Sequence, residues 1–405
     1  MKRISNYLLL GLLTVPICTQ ANWTFDWNGY GTIGVTQFKN YDAINADSRL
    51  PYGDFYSSTS EKPDTKFSLQ GSAHFSENIS ASMQLISHAK YDYEPEVEWA
   101  YLRLQPTENL TLRAGRIRRH AYLQSDNYDI GYSYVWVRPP TTAYLSIGPI
   151  YRALEAVDLY YQGSNSQFDY SAQLYVGQAD DSAEMFGVKS DYEEHRASGL
   201  TLAFEAEGTE LQLSHHRSNF DLEYPEADEV RTALLALGFA DIADNYDFTD
   251  RDARVYGLGF SKKFNTWDLA AEFVHSDFDE AQIPTFDGWY FTATKHIDNL
   301  SLYAGYGFQS TEVSRKLEND IRAEAESALA TGTLQGLFTS SALQAIEEAI
   351  RTEINRQLIE RSSVQVGLRY DFKEFAAFKL EYENLKDRLN NKSGSLYSVS
   401  LDFVF

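Results

Sequence analysis

One cysteine stands in 405 residues, Cys18, and it falls inside the first twenty-one. Those residues carry Lys2 and Arg3, then the apolar run Leu8-Leu9-Leu10-Gly11-Leu12-Leu13 and a small-residue exit at Thr19-Gln20-Ala21. The run is far short of the roughly 20 residues a spanning helix needs, so 1–21 reads as a cleaved signal peptide. Val15-Pro16-Ile17 lack the small residues expected ahead of a lipidated cysteine. The exported chain, 22–405, then has no cysteine, and disulfides are excluded as its framework. Long apolar runs are also missing. Mean hydropathy is −0.41, and nothing after the leader approaches 18 consecutive apolar residues, which excludes transmembrane helices. Positive charge is scarce as well: 35 Lys+Arg face 58 Asp+Glu, a net charge of −23. Loss of Lys2 and Arg3 with the leader lowers this to −25, because the leader holds no acid. Nucleic acid is thereby disfavoured as a partner.

What is abundant is aromatic surface, with 28 Tyr and 24 Phe, and it is arranged with a period of two. The chain ends Tyr397-Ser398-Val399-Ser400-Leu401-Asp402-Phe403-Val404-Phe405. Tyr397, Val399, Leu401, Phe403 and Phe405 share one face of a strand, and Ser398, Ser400 and Asp402 the other. Phe168, Tyr170, Ala172, Leu174 and Val176 repeat the pattern against Asp169, Ser171 and Gln173. A polar mean with apolar alternation fits a β-barrel in an outer membrane, where only alternate residues meet lipid.

Sixteen such runs can be marked, at 24–37, 66–76, 79–90, 96–105, 109–117, 154–162, 167–177, 196–207, 209–217, 253–264, 266–276, 287–296, 299–310, 361–372, 374–386 and 394–405. The links between them alternate. Short ones, such as Glu77-Asn78, Gly208 and Asn265, alternate with long ones at 38–65, 91–95, 118–153, 178–195, 218–252, 277–286, 311–360 and 387–393. Short periplasmic turns and long extracellular loops are the arrangement of outer-membrane barrels. The fold expected is an all-β transmembrane antiparallel barrel of about sixteen strands in one domain. Residues 311–360 depart from it. Leu317, Ile321, Ala325 and Leu329, then Leu343, Ile346, Ile350, Ile354 and Leu358, recur at helical spacing. This helical extracellular loop reads either as a surface hairpin or as a lid or partner contact.

Charge concentrates after the fifth run. The chain reads Gly115-Arg116-Ile117-Arg118-Arg119-His120-Ala121-Tyr122-Leu123-Gln124-Ser125-Asp126-Asn127-Tyr128-Asp129, and continues to Trp136-Val137-Arg138-Pro139-Pro140. With these residues, from leader to terminal Phe405, the chain resembles a Gram-negative outer-membrane porin of the trimeric, sixteen-stranded kind. The resemblance implies a water-filled channel for passive diffusion of small hydrophilic solutes and ions, a homotrimer, and no enzymatic activity. It also implies a third loop folded inward, with basic wall residues set against acidic loop residues. Arg113, Arg116, Arg118, Arg119, Asp126, Asp129 and Arg138 are the constriction candidates. Parity ranks the wall positions: Leu110, Leu112 and Ala114 form an apolar face, so Arg113 faces the lumen, and Arg116 does so only if the strand ends or bulges near Gly115. The same arginines could instead pair with loop acids or with lipopolysaccharide phosphates. Phe405 resembles the terminal aromatic recognised by the outer-membrane assembly machinery, the expected partner in biogenesis besides lipid and lipopolysaccharide.

Two other readings stay in view. Tyr122, Tyr128, Tyr132, Tyr134, Trp136 and Tyr144 offer enough ring surface for a substrate-specific channel that stacks sugars, and the arginines enough charge for one that binds anions. A barrel enzyme is less favoured, since His215-His216 near Asp221 is the nearest thing to a constellation and adjacent strand residues face opposite ways. No cofactor motif is present. The acidic run Asp241 to Asp252 lacks the glycine and terminal Glu of a helix-loop-helix calcium site and reads as a solvated loop.

Overall fold

The computed structural model describes residues 23–40, 59–144, 153–185, 188–223, 225–237, 240–278, 283–312, 323 and 358–405. The leader 1–21 and nearly all of the helical pattern in 311–360 lie outside them. Seventeen strands form one sheet: β1 (Thr24–Lys39), β2 (Thr59–Ser60), β3 (Lys66–His74), β4 (Ile79–His88), β5 (Pro95–Thr107), β6 (Leu110–Arg118), β7 (Ala153–Ser164), β8 (Asp169–Met185) and β9 (Val188–Ala206), followed by β10 (Thr209–Leu222), β11 (Arg251–Lys263), β12 (Trp267–Phe278), β13 (Thr285–Ile297), β14 (Leu300–Glu312), β15 (Glu360–Lys373), β16 (Ala376–Asp387) and β17 (Lys392–Val404). Neighbours pair antiparallel, and β17 closes on β1 from Tyr30↔Val404 to Lys39↔Ser395. The two residues of β2 add a short pairing to β1 at Thr36 and Gln37. The other sixteen strands are the barrel, one for each run marked in the sequence, and that number leaves room for an aqueous lumen.

The alternation decides which face meets which solvent. Leu174 and Val176 on β8 are 53% and 61% exposed, whereas Gln173 and Tyr175 are 2% each. On β17, Tyr397, Val399 and Leu401 are exposed while Ser398, Ser400 and Asp402 are buried. A closed sheet with its apolar side chains turned outward belongs in lipid, since in water that band would cost about 25 cal/mol per Å². Exposed aromatics gather by the short turns: Trp23, Phe25 and Trp27 near the chain start, Phe264 and Trp267, Phe372 and Phe375, and Phe405. That is the girdle expected at a membrane interface. The turns are tight where expected; Glu207 and Gly208 take positive φ of 48° and 71°, the two-residue hairpin geometry.

Two connections differ from the sequence expectation. The fourth, placed at 178–195, is instead an extension of β8 and β9, paired from Ala179↔Glu194 to Met185↔Val188 beyond a register shift at Gly177/Ala179. Above the bilayer neither face of such a ribbon meets lipid, so backbone pairing continues after the apolar alternation has stopped. The fifth, 218–252, carries helix α2 (Pro225–Leu237) and the short α3 (Ala240–Asp244), where the sequence suggested only an acidic loop. Pro225 supplies a first-turn residue whose missing N–H costs nothing. Tyr246 and Phe248 beyond it pack with Tyr175, Tyr192 and Phe220 in a buried apolar cluster.

Candidate functional site

The third long connection is held by charge. Arg118, the last residue of β6, donates to Glu98 on β5, to Asp129 at 2.5 Å and to the Ser125 carbonyl at 3.1 Å, and its guanidinium lies 5.4 Å from the Trp99 ring centre. Arg119 makes a two-pronged pair with Glu194 on β9, at 2.9 and 2.6 Å. Arg138 reaches Asp64 at 2.9 and 2.7 Å, Thr36 and Ser398 at 2.7 Å each, and Glu381 at 3.4 Å. These three arginine side chains are only 6%, 2% and 9% exposed. Planar guanidinium groups suit such multidentate sites, where a lysine would offer a single point charge.

Neutral contacts extend the seam. Thr201 and Ser214 donate to the carbonyls of His120 and Ala121, both at 2.6 Å. Leu123 N–H donates to Glu272, which also accepts from the Tyr144 and Tyr290 hydroxyls. Lys379 donates to the Gly131 and Trp136 carbonyls, both at 2.6 Å, and pairs with Asp402. Thr141 donates to Glu383, and Tyr132 to the Glu374 carbonyl in the short turn after β15. The side chains that 119–144 meets on the strands occupy the polar face of the alternation. Glycines open that face where contact is closest: a Cβ on Gly257 would meet the Ala121 carbonyl, on Gly259 the Leu123 side chain, and on Gly307 the Thr142 side chain. Pro139 and Pro140 precede the single turn α1 (Thr141–Tyr144), and the aromatics Tyr122, Tyr134, Trp136 and Tyr144 are buried together.

The remaining candidates divide. Arg113 pairs two-pronged with Asp158 across β6 and β7 and lies over Tyr101; it is 18% exposed. Arg116, in register with Glu155 on the opposite face, is bonded to the Val97 carbonyl at 2.9 Å, Glu155 at 3.1 Å and Asp181 at 3.4 Å, so it does not join the others. Asp126 meets His120 Nε2 at 2.7 Å and is 59% exposed. Although wet, its carboxyl is ringed by protein; that partial desolvation opposes ionisation, but His120, Arg113 and Arg118 outweigh it and hold the pKa below the usual carboxylate range. Burial opposes ionisation of Asp129 too, and Lys66, Arg118 and His88 overcome it, again lowering the pKa.

One wall residue lies outside the candidates: Arg103 is in register with Arg113 and bonds Gln105 at 2.7 Å. The signal was available, since Leu102 and Leu104 on either side mark the opposite face. Lys379, Glu381 and Glu383 were also legible by parity, alternating with Leu380 and Tyr382 on β16. Elsewhere, His216 is buried against the Tyr175 hydroxyl at 2.7 Å while His215 stacks on Tyr256, so the two histidines do face opposite ways. Asp244, Asp247, Asp250 and Asp252 of the acidic run are each paired with an arginine.

No family model and no curated protein sequence matches the chain. Solved structures do. An anion-selective porin from Comamonas acidovorans superposes with a TM-score of 0.57 at 11% identity, over 95% of this chain and 100% of that one. The outer-membrane channel DcaP of Acinetobacter baumannii gives 0.56 at 10%, over 96% and 99%. OmpF of Salmonella typhi, in complex with daunomycin, gives 0.55 at 12%, over 94% and 97%. At such identities the likeness concerns the fold, which is the sixteen-stranded barrel of Gram-negative outer-membrane porins. With its outward apolar band, the chain is a multi-pass outer-membrane β-barrel.

Proposed function

We propose that the protein is a passive channel for small hydrophilic solutes and ions, and that 119–144 is an inward-folded third loop narrowing its lumen. The observation that carries this reading is the breadth of the loop's contacts. One segment bonds polar-face side chains of β1, β9, β10, β12, β16 and β17. In a closed barrel a single segment reaches all of these only by crossing the interior. Labour then divides among the candidates. Arg118, Arg119, Arg138 and Asp129 fasten the loop; Arg113, with Arg103 beside it, and Asp126 set the field a solute meets. Arg116 serves the outer side of the wall.

A general channel is favoured over a sugar-specific one because Tyr122, Tyr134, Trp136 and Tyr144 are buried together, while the part-exposed Tyr128 stacks on Tyr144 and Tyr132 lies under the Arg369 guanidinium. A homotrimer fits the architecture; one structural neighbour, OmpT of Vibrio cholerae, is described in a trimer form (TM-score 0.52, 11% identity). Lipid and lipopolysaccharide on the outer surface, and the assembly machinery at Phe405, complete the partners of this reading. Single-channel recording in a planar bilayer under a KCl gradient tests it. The expected result is stepwise conductance without saturable solute block, with a reversal potential that moves toward cation preference when Arg103 and Arg113 are both replaced by Ser. An absence of conductance from folded protein would refute the channel, and an unmoved potential would remove the two arginines from its field.

A further inference from the structure

On the outward side of β9 and β10, above the apolar band, Glu193, His195 and Asp221 converge. His195 Nε2 lies 3.2 Å from Asp221 Oδ2 and 3.6 Å from Glu193 Oε2, and all three ligand atoms fall within 4.8 Å of one another. Ligands bound at roughly 2.0–2.1 Å to a tetrahedral ion stand about 3.4 Å apart, so the two short separations bracket the spacing such an ion imposes. The strands produce this arrangement directly. Glu193 and His195 are two residues apart on one face, and Asp221 is the register partner of Glu193. The other Asp221 oxygen accepts the Asp250 N–H at 2.6 Å, which turns Oδ2 toward His195, the kind of outer support that orients metal ligands.

Charge gives an independent reason. Two carboxylates directly opposed on neighbouring strands repel each other. Of the neighbouring acids, Asp250 pairs with Arg196 and Asp252 with Arg217 and Arg254, while Asp180 faces Glu193 from β8 and adds to the negative charge there. Among the described residues, no lysine or arginine pairs with Glu193 or Asp221. With a neutral imidazole, the set carries the charge of minus two that a divalent cation balances. An imidazole beside two carboxylates selects a borderline ion of the zinc class over calcium or magnesium.

We propose that Glu193, His195 and Asp221 bind one zinc-class divalent cation per protomer, pinning β9 to β10 at the outer rim with a coordination position open to solvent. The site lies on the outer wall and does not depend on the channel reading. The test uses the full chain refolded in detergent without a polyhistidine tag, stripped with chelator and titrated with Zn²⁺ alone by calorimetry, with Co²⁺ absorption as a spectroscopic check. Saturable binding of one ion is expected, weakened by about tenfold or more in His195→Gln and in Asp221→Asn. His275→Ala, which removes only a histidine paired with Asp287, should leave it unchanged. Heat-modified gel mobility confirms that each variant is folded. No saturable Zn²⁺ binding, or binding that His195→Gln leaves intact, would overturn the proposal, as would equal affinity for Ca²⁺.

Discussion

Two arginines two residues apart, Arg116 and Arg118, have opposite prospects. Arg118 sits between Glu98 and Asp129 with all three side chains 15% exposed or less. Replacing it by Ala would leave Glu98 without a cation and Asp129 with Lys66 alone, at 3.4 Å, a loss of about 3–5 kcal/mol. Arg116 is 25% exposed and pairs with a half-exposed Glu155, where the same change should cost about 0–1 kcal/mol. Urea unfolding of both variants in detergent should separate them clearly. The acid end follows from Asp129. Its folded pKa is depressed, so its contribution is complete above the unfolded value of about 3.9 and is lost only as pH falls through the lower, folded value. Tryptophan emission should therefore hold steady from neutral pH down to about 4, and Asp129→Asn should loosen the loop throughout that range.

Among elements, the fit of loop to wall rests on glycines of β11 and β14. Gly257 and Gly307 face the Ala121 carbonyl and the Thr142 side chain so closely that a Cβ would collide with each. Gly307→Leu should therefore displace the loop, lowering stability by about 1–3 kcal/mol and raising single-channel conductance; unchanged conductance would argue that 119–144 does not gate the lumen. These elements were unequally legible beforehand. Lipid writes a period of two into every strand it touches, which is why all sixteen runs were found and why Arg113 could be aimed by Leu112 and Ala114. Where lipid stops, the signal stops, and the upper parts of β8 and β9 went unread. The loop's fastenings were illegible for another reason: Arg119 and Glu194, or Arg138 and Glu381, lie 75 and 243 residues apart. Barrel closure brings them together, and no local pattern announces it.

At the scale of the whole molecule, the chain end poses a question that stability alone does not answer. Phe405 is 58% exposed and makes reciprocal backbone bonds with Gly29 at 2.9 Å, its ring resting on Trp27 and Phe403. Replacing its side chain leaves that rung available, along with a seam that runs from Tyr30↔Val404 to Lys39↔Ser395. An exposed ring at the end of so long a ladder contributes little to the folded barrel, because most of its surface remains outside protein packing. Phe405→Ala should accordingly refold in detergent with a urea midpoint near that of the parent chain. If the terminal aromatic is the mark by which the assembly machinery takes up the chain, the same variant should fall severalfold in outer-membrane yield in cells. Equal losses in both settings would reduce Phe405 to seam packing, and no loss in either would strip it of both roles. The comparison works because the refolding assay contains the seam without the machinery, and the cell contains both.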